Sequence, residues 1–362
     1  MAAAREVAED LLEMHFGAPS ARVLQVPPVE GDDMHAGLLA ACGSHAKPGC
    51  RLRCSPALWQ VRPVTSRPSC PVCDSGDATL RYRLSRFAIW TCPACSQIFL
   101  WPQPPEDEIR GLFSQLYTTG EGSVPELRSY YGFCYQDDPA NPLVQLYERW
   151  LAVLERFHPP GRLLDVGCGT GLFLSVARRR GWTPFGIDDC AEATRHAREH
   201  FGLAVTIGDF EDFARDVQHF DVITMWDIIE HARRPVDLLA AACRCLEPHG
   251  VVGLSTPNQR SILDLVAGTL YRLSAGAIRA PLEKFYIEQH FLYFTPATLE
   301  AALARAGLAL ASCERELTEL RRLTLTVPTR LLLGGLFAIA RWTGLENRLF
   351  AVARPAFARC VA

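Results

Sequence analysis

Arg162-Leu-Leu-Asp165-Val-Gly167-Cys168-Gly169-Thr-Gly171-Leu-Phe-Leu174 decides the fold of this chain. An apolar run enters a cluster of glycines and an apolar helical segment leaves it, so a buried strand, a tight loop and a helix follow one another. Small residues let a backbone approach a ligand closely, and the N-terminus of the helix offers free N–H groups. The glycines fall as G-x-G-x-G, with Leu172 where a dinucleotide fingerprint has its third glycine, and Asp165 stands two residues ahead of the first. That carboxylate would repel a pyrophosphate and attract an ammonium group.

S-adenosylmethionine carries such an ammonium and no phosphate, so it is the ligand the loop favours. The following segments agree in order. Thr183-Pro-Phe-Gly-Ile-Asp188 ends a second strand in an acid able to take both hydroxyls of a ribose. Val205-Thr-Ile-Gly-Asp209-Phe210 ends a third, with Asp209 suited to an adenine amino group and Phe210 to its ring. Phe220-Asp-Val-Ile-Thr-Met-Trp226-Asp227 is a fourth strand, nearly all apolar, as one covered on both faces must be. Residues 140–354 resemble the class I S-adenosylmethionine-dependent methyltransferases. The resemblance implies an α/β fold, a Rossmann-like seven-stranded doubly wound sheet whose last strand is antiparallel. It also implies a cofactor site of Asp165, Gly167, Cys168, Gly169, Gly171, Asp188, Asp209, Phe210 and Trp226. The alternative is an unrelated Rossmann domain binding NAD or a nucleotide.

Fourteen cysteines would be many for a reducing compartment, but four of them stand as Cys70-Pro-Val-Cys73 and Cys92-Pro-Ala-Cys95, eighteen residues apart. Two C-x-x-C hooks at this spacing suit a tetrahedral structural Zn²⁺, and four thiolates leave no open position for catalysis. Leu80–Leu84 and Phe87–Thr91 alternate between them like a hairpin. A zinc ribbon over 70–104 therefore precedes the methyltransferase domain, and the ion supplies stability that so small a ribbon lacks. The start shows no basic region followed by an apolar core, so a cytoplasmic location is expected. The net charge of −3 argues against a general affinity for nucleic acid. Arg81, Tyr82, Arg83, Arg86, Phe87 and Trp90 nevertheless put basic and aromatic residues on one hairpin, as an RNA-binding ribbon would.

Residues 1–69 read as a poorly ordered extension, apart from one amphipathic stretch at 6–16; His45, Cys50 and Cys54 match no strong metal pattern. Residues 105–141 form a connector whose Tyr117, Tyr130, Tyr131 and Tyr135 suit either a lid or packing between domains. The main domain, 142–354, opens on a helix over 142–157 and carries excursions at 259–290 and 320–345; residues 355–362 form a tail. Pro248-His-Gly250 reads as a turn before a fifth strand, and Thr295 as the cap of a helix. Residues 323–342 carry an apolar run, 331–340, that is flanked by Arg321, Arg322, Arg330 and Arg341 and is too short to span a bilayer, which takes about 20 residues. They suit a core or dimer helix, or peripheral contact with a membrane or a greasy substrate.

Asp227, Glu230 and His231 follow the fourth strand at i, i+3 and i+4, one face if the segment is helical. His290 lies where the chain returns to the sheet. The set resembles the E-x-x-E-H plus distant His arrangement of ubiquinone-pathway phenol O-methyltransferases and small-RNA 2′-O-methyltransferases, with Asp227 in place of the first Glu. That resemblance implies a divalent ion, Mg²⁺ or another, that acidifies a hydroxyl; without metal, His231 or His290 would be a general base. Two readings of the acceptor follow. O-methylation of a small or carrier-linked molecule comes from the Glu-His pair, and C- or N-methylation of a nucleotide-linked sugar from the four-cysteine ribbon.

Overall fold

The computed structural model describes residues 68–120, 125–216 and 218–356. The 6–16 stretch, His45, Cys50 and Cys54 lie outside the described residues. β1 (Thr79–Arg83), β2 (Ala88–Thr91) and β3 (Ile98–Trp101) form the expected antiparallel ribbon. β4 (Arg162–Val166), β5 (Thr183–Asp188), β6 (Ala204–Ile207), β7 (Phe220–Trp226) and β8 (Leu246–Pro257) are mutually parallel, and helices connect them in the doubly wound manner. β9 (Leu292–Tyr293) leaves for the ribbon, while β10 (Leu308–Glu316) and β11 (Arg348–Pro355) complete the large sheet. Its order is β10-β11-β8-β7-β4-β5-β6, with β11 antiparallel to both neighbours.

One expectation is corrected. Pro248-His249-Gly250 does not end a turn before β8 but lies inside it. Pairing passes from Phe220↔Leu246 directly to Val222↔Val251, so the extra residues bulge out of the ladder and the strand continues. Other local signals held. Asn141 caps the helix Pro142–Leu154, whose Leu143, Trp150 and Leu154 are buried, and Thr295 forms a capping box with Thr298 ahead of Pro296.

The ribbon finds its core in the 259–290 excursion. β9 adds a fourth strand to it through Ile98↔Tyr293 and Phe99↔Leu292. Tyr82, Phe87 and Ile89 are buried with Ala267, Leu282 and Tyr286. Arg81 pairs with Asp264 at 3.1 Å and Arg86 with Glu288 at 3.2 Å. The basic and aromatic residues that suggested RNA are thus largely committed to packing within the chain.

The 323–342 segment is the helix Val327–Thr343, and it is two-sided. Phe337 and Ala340 pack on Ile262 and Leu263, whereas Val327, Leu331, Leu332, Ile339 and Trp342 face outward. No helix among the described residues is long and apolar enough to cross a membrane.

Candidate functional site

The strand order reverses at β4, with β5 on one side and β7 on the other, and such a switch opens a crevice at the carboxyl ends of the strands. A cavity of about 620 Å³ occupies it, lined by Asp165, Gly167, Cys168, Gly169, Asp188, Asp209, Phe210 and Trp226. Gly171 is absent from this wall. Its φ is +82°, and a Cβ there would stand 2.7 Å from Leu203 and 2.8 Å from Ala197, so glycine is required to seat the helix on its neighbours. Gly167 and Gly169 do face the cavity. Both have positive φ, and a Cβ would come within 2.1 Å of Ile228 and 2.6 Å of the Tyr117 hydroxyl respectively.

The acids differ in setting. Asp165 is buried and accepts from the Thr224 hydroxyl at 2.6 Å, while burial pushes its pKa up to about 8. Asp188 accepts from the backbone N–H groups of Gly169 and Cys190, both at 2.8 Å, and so ties the glycine loop to the end of β5. Burial still raises it to about 6. Asp209 caps the short helix Phe210–Phe213, accepting from Asp212 N–H at 3.0 Å. Trp226 stacks on Trp150 at 4.5 Å and on Phe350 at 5.8 Å, and the Cys168 side chain turns into the core beside Gly186.

Glu230, His231 and His290 come together, with ligand atoms within 4.8 Å of one another. Glu230 is fully buried, and neither its carboxyl oxygens nor the adjacent Thr256 hydroxyl makes a well-formed hydrogen bond; His290 Nδ1 makes none either. His231 Nδ1 lies 2.6 Å from the Gln289 carbonyl oxygen, so it carries the proton and leaves Nε2 its lone pair. Burial, helped by the Asp227 charge, pushes Glu230 up to about 8, and burial lowers both imidazoles, His290 well below its ordinary value. The ribbon supports this group from behind, since Leu100 N–H donates to Phe291 O and Phe291 N–H to Glu230 O.

Asp227 does not join them. Its φ is +55°, which breaks the helical spacing the sequence suggested, and only Ile229–His231 forms a helical turn. The carboxylate pairs with Arg348 and accepts from Ser255 at 3.0 Å. Burial would raise its pKa, but the Arg348 guanidinium outweighs that and holds it below the usual range.

Several cavity residues escaped sequence reasoning. Phe113 packs edge-on against His231 with centroids 5.1 Å apart. Arg348 reaches the same cavity from a distant segment, as does Arg322, which the sequence marked only as flanking the apolar 323–342 run. An arginine opening the apolar strand Arg348–Pro355 was the one available signal. The connector's Tyr117, Tyr130 and Tyr131 line the cavity and pack on one another in edge-to-face pairs at 5.3–5.5 Å.

In the ribbon, Cys70 Sγ stands 3.6 Å from Cys95 Sγ and Cys73 Sγ 3.5 Å from Cys92 Sγ. The four sulfurs lie within 4.8 Å of one another, close to the edges of a tetrahedron with metal–sulfur bonds of about 2.3 Å.

Comparison with known proteins places this geometry. A family model described as a methyltransferase domain matches residues 143–312. The ubiquinone biosynthesis O-methyltransferase of Xanthomonas axonopodis pv. citri is 34% identical over 183 residues, 48% of this chain and 74% of that protein. The chain belongs to the class I S-adenosylmethionine-dependent methyltransferases. A protein of the same description from Actinobacillus pleuropneumoniae is 34% identical over 124 residues, 31% of this chain, and the match spans 53% of its length. Among solved structures, the magnesium protoporphyrin IX methyltransferase of Synechocystis with bound SAH covers 69% of this methyltransferase and 99% of its own chain. The TM-score of that match is 0.43 at 14% identity. The cofactor fits the cavity: two glycines are required at the loop for steric reasons, and three acids face the space beside it.

Proposed function

We propose that this methyltransferase transfers a methyl group to a hydroxyl oxygen of a small or carrier-linked acceptor. Glu230, His231 and His290 activate that hydroxyl. The observation that carries the reading is the fully buried Glu230 carboxyl facing two imidazoles on the cavity wall. The description of the Xanthomonas and Actinobacillus relatives as O-methyltransferases supports oxygen as the acceptor atom.

Asp165 would hold the ammonium of the cofactor, Asp188 its ribose and Asp209 its adenine amino group, with Phe210 against the ring. Bound S-adenosylmethionine supplies an electrophilic methyl group, so alignment of the acceptor comes before any acid–base help. Two imidazoles and a carboxylate suit a divalent ion, which would acidify a hydroxyl. Where no ion binds, His231 Nε2 takes the proton, held in the right tautomer by Gln289. The four thiols would hold a structural Zn²⁺, which favours a reducing, cytoplasmic setting. The ribbon also supports a second reading, C- or N-methylation of a nucleotide-linked sugar.

Titration with S-adenosylhomocysteine, with and without Mg²⁺, tests the cofactor, and micromolar binding is expected. Radiolabelled methyl transfer to phenols, sugar nucleotides and RNA then separates the acceptors. Phenol methylation that Glu230→Gln abolishes is the expected result. Labelled sugar nucleotide with no phenol product replaces this reading by the second, and absence of S-adenosylhomocysteine binding removes both.

A further inference from the structure

Arg322 ends the short turn Leu320–Arg322 and lines the cavity, yet only 4% of it is exposed. Its guanidinium sits 5.7 Å from the Tyr130 ring centroid, and its Nε has no hydrogen-bond partner. Among the described residues no carboxylate lies in ion-pair contact with it, in contrast to its neighbours. Arg348 pairs with Asp227, Arg110 with Glu106 and Arg234 with Asp237, while Arg233 donates to Gln103 and to the Pro104 carbonyl. Asp227 and Glu319 attract Arg322 and Arg348 repels it, but Asp227 is already joined to Arg348 and Glu319 to Arg321. The Arg322 guanidinium therefore has no carboxylate of its own and little exposure, an arrangement that favours an anion arriving in the cavity.

We propose that Arg322 is the receptor for a carboxylate inside the cavity, carried by a ligand rather than by the protein. The planar fork of a guanidinium matches a carboxylate with two parallel hydrogen bonds, and the Tyr130 ring lies against it. Either of two ligands brings such a group: the amino-acid end of the methyl donor, or an acid on the acceptor. The inference rests on the methyl-transfer reading, which supplies both.

Calorimetry on the full chain separates the sources. S-adenosylhomocysteine is compared with 5′-methylthioadenosine, which lacks the amino-acid end. On protein saturated with S-adenosylhomocysteine, 3,4-dihydroxybenzoate is compared with its neutral amide. If the donor supplies the carboxylate, Arg322→Met weakens S-adenosylhomocysteine at least tenfold and leaves methylthioadenosine within twofold. If the acceptor supplies it, S-adenosylhomocysteine is unchanged and the preference for the benzoate over the amide disappears. Arg322→Lys keeps the charge without the fork and should recover part of either loss; it also serves if the Met variant does not fold. Variants that bind all four compounds as the wild type does overturn the proposal alone. A wild type that binds no S-adenosylhomocysteine defeats the methyl-transfer reading and this inference with it.

Discussion

Asp188→Asn should move affinity and stability in different directions. The carboxylate accepts from Gly169 and Cys190 N–H at 2.8 Å, and Asn can satisfy only one of these with its single oxygen while its NH₂ faces the other. Losing one hydrogen bond to a charged group costs about 1.5–3 kcal/mol. Against that, burial raises this acid from 3.8 to about 6, a shift of about 2 units, so at neutral pH the ionised form carries about 3 kcal/mol of unfavourable burial that Asn does not. That rise is already net of both hydrogen bonds, so the Asn variant should be at least as stable as the wild type, with Tm unchanged or raised by about 2–4 °C. Binding has no such offset, because the proposed ribose contact needs the anion. Affinity for S-adenosylhomocysteine should fall about 10- to 100-fold, the equivalent of about 1.5–3 kcal/mol. The pH dependence follows from the direction of the shift. A folded-state pKa above the unfolded one gives a stability contribution present below about pH 4 and lost as pH rises through about 6, whereas ligand affinity should fall as pH drops through about 6. Both slopes should lose their component near pH 6 in the Asn variant, leaving those from Asp165 and Glu230. Calorimetry and thermal denaturation across pH 4–8 check this (on the order of the window set by these values). Unchanged affinity, or a large loss of Tm with affinity intact, would show that Asp188 serves only the loop.

Three further outcomes are expected. Asp165, raised to about 8, is mostly protonated at neutral pH, so arrival of the cofactor's ammonium should release close to one proton. Titrations at pH near 7 in buffers of different ionisation enthalpy should show this, and identical heats in all buffers would contradict it. Elemental analysis should find one zinc per chain, lost on replacing Cys70 and Cys92 by Ser. Because β3 holds β9 and Phe291, methyl transfer should then fall sharply while affinity for S-adenosylhomocysteine stays within about threefold, the cofactor acids lying on the other sheet. Finally, Leu331→Ser with Trp342→Ser should reduce sedimentation with phosphatidylglycerol vesicles and leave methyl transfer intact; equal sedimentation of variant and wild type would remove lipid contact from the reading.

The proposed cofactor half of this protein was legible in its residues because it is built from local signals. Asp165, Asp188 and Asp209 each sit at the end of an apolar strand, and strand, glycine loop and helix are contiguous, so spacing alone places the acids on one edge of a doubly wound sheet. The paired C-x-x-C hooks were legible for the same reason. The acceptor side was not. His290 meets Glu230 and His231 only because β9 joins the ribbon, and Asp227 leaves them only because its φ is positive and Arg348 arrives from the far end of the chain. Gly171 looked like its two neighbours in the motif, yet what it touches is Ala197 and Leu203. Strand ends and loop glycines are determined by short-range pattern. Which charges compensate one another, and which stay bare like Arg322, depends on contacts between segments far apart in sequence, and only the folded chain decides those.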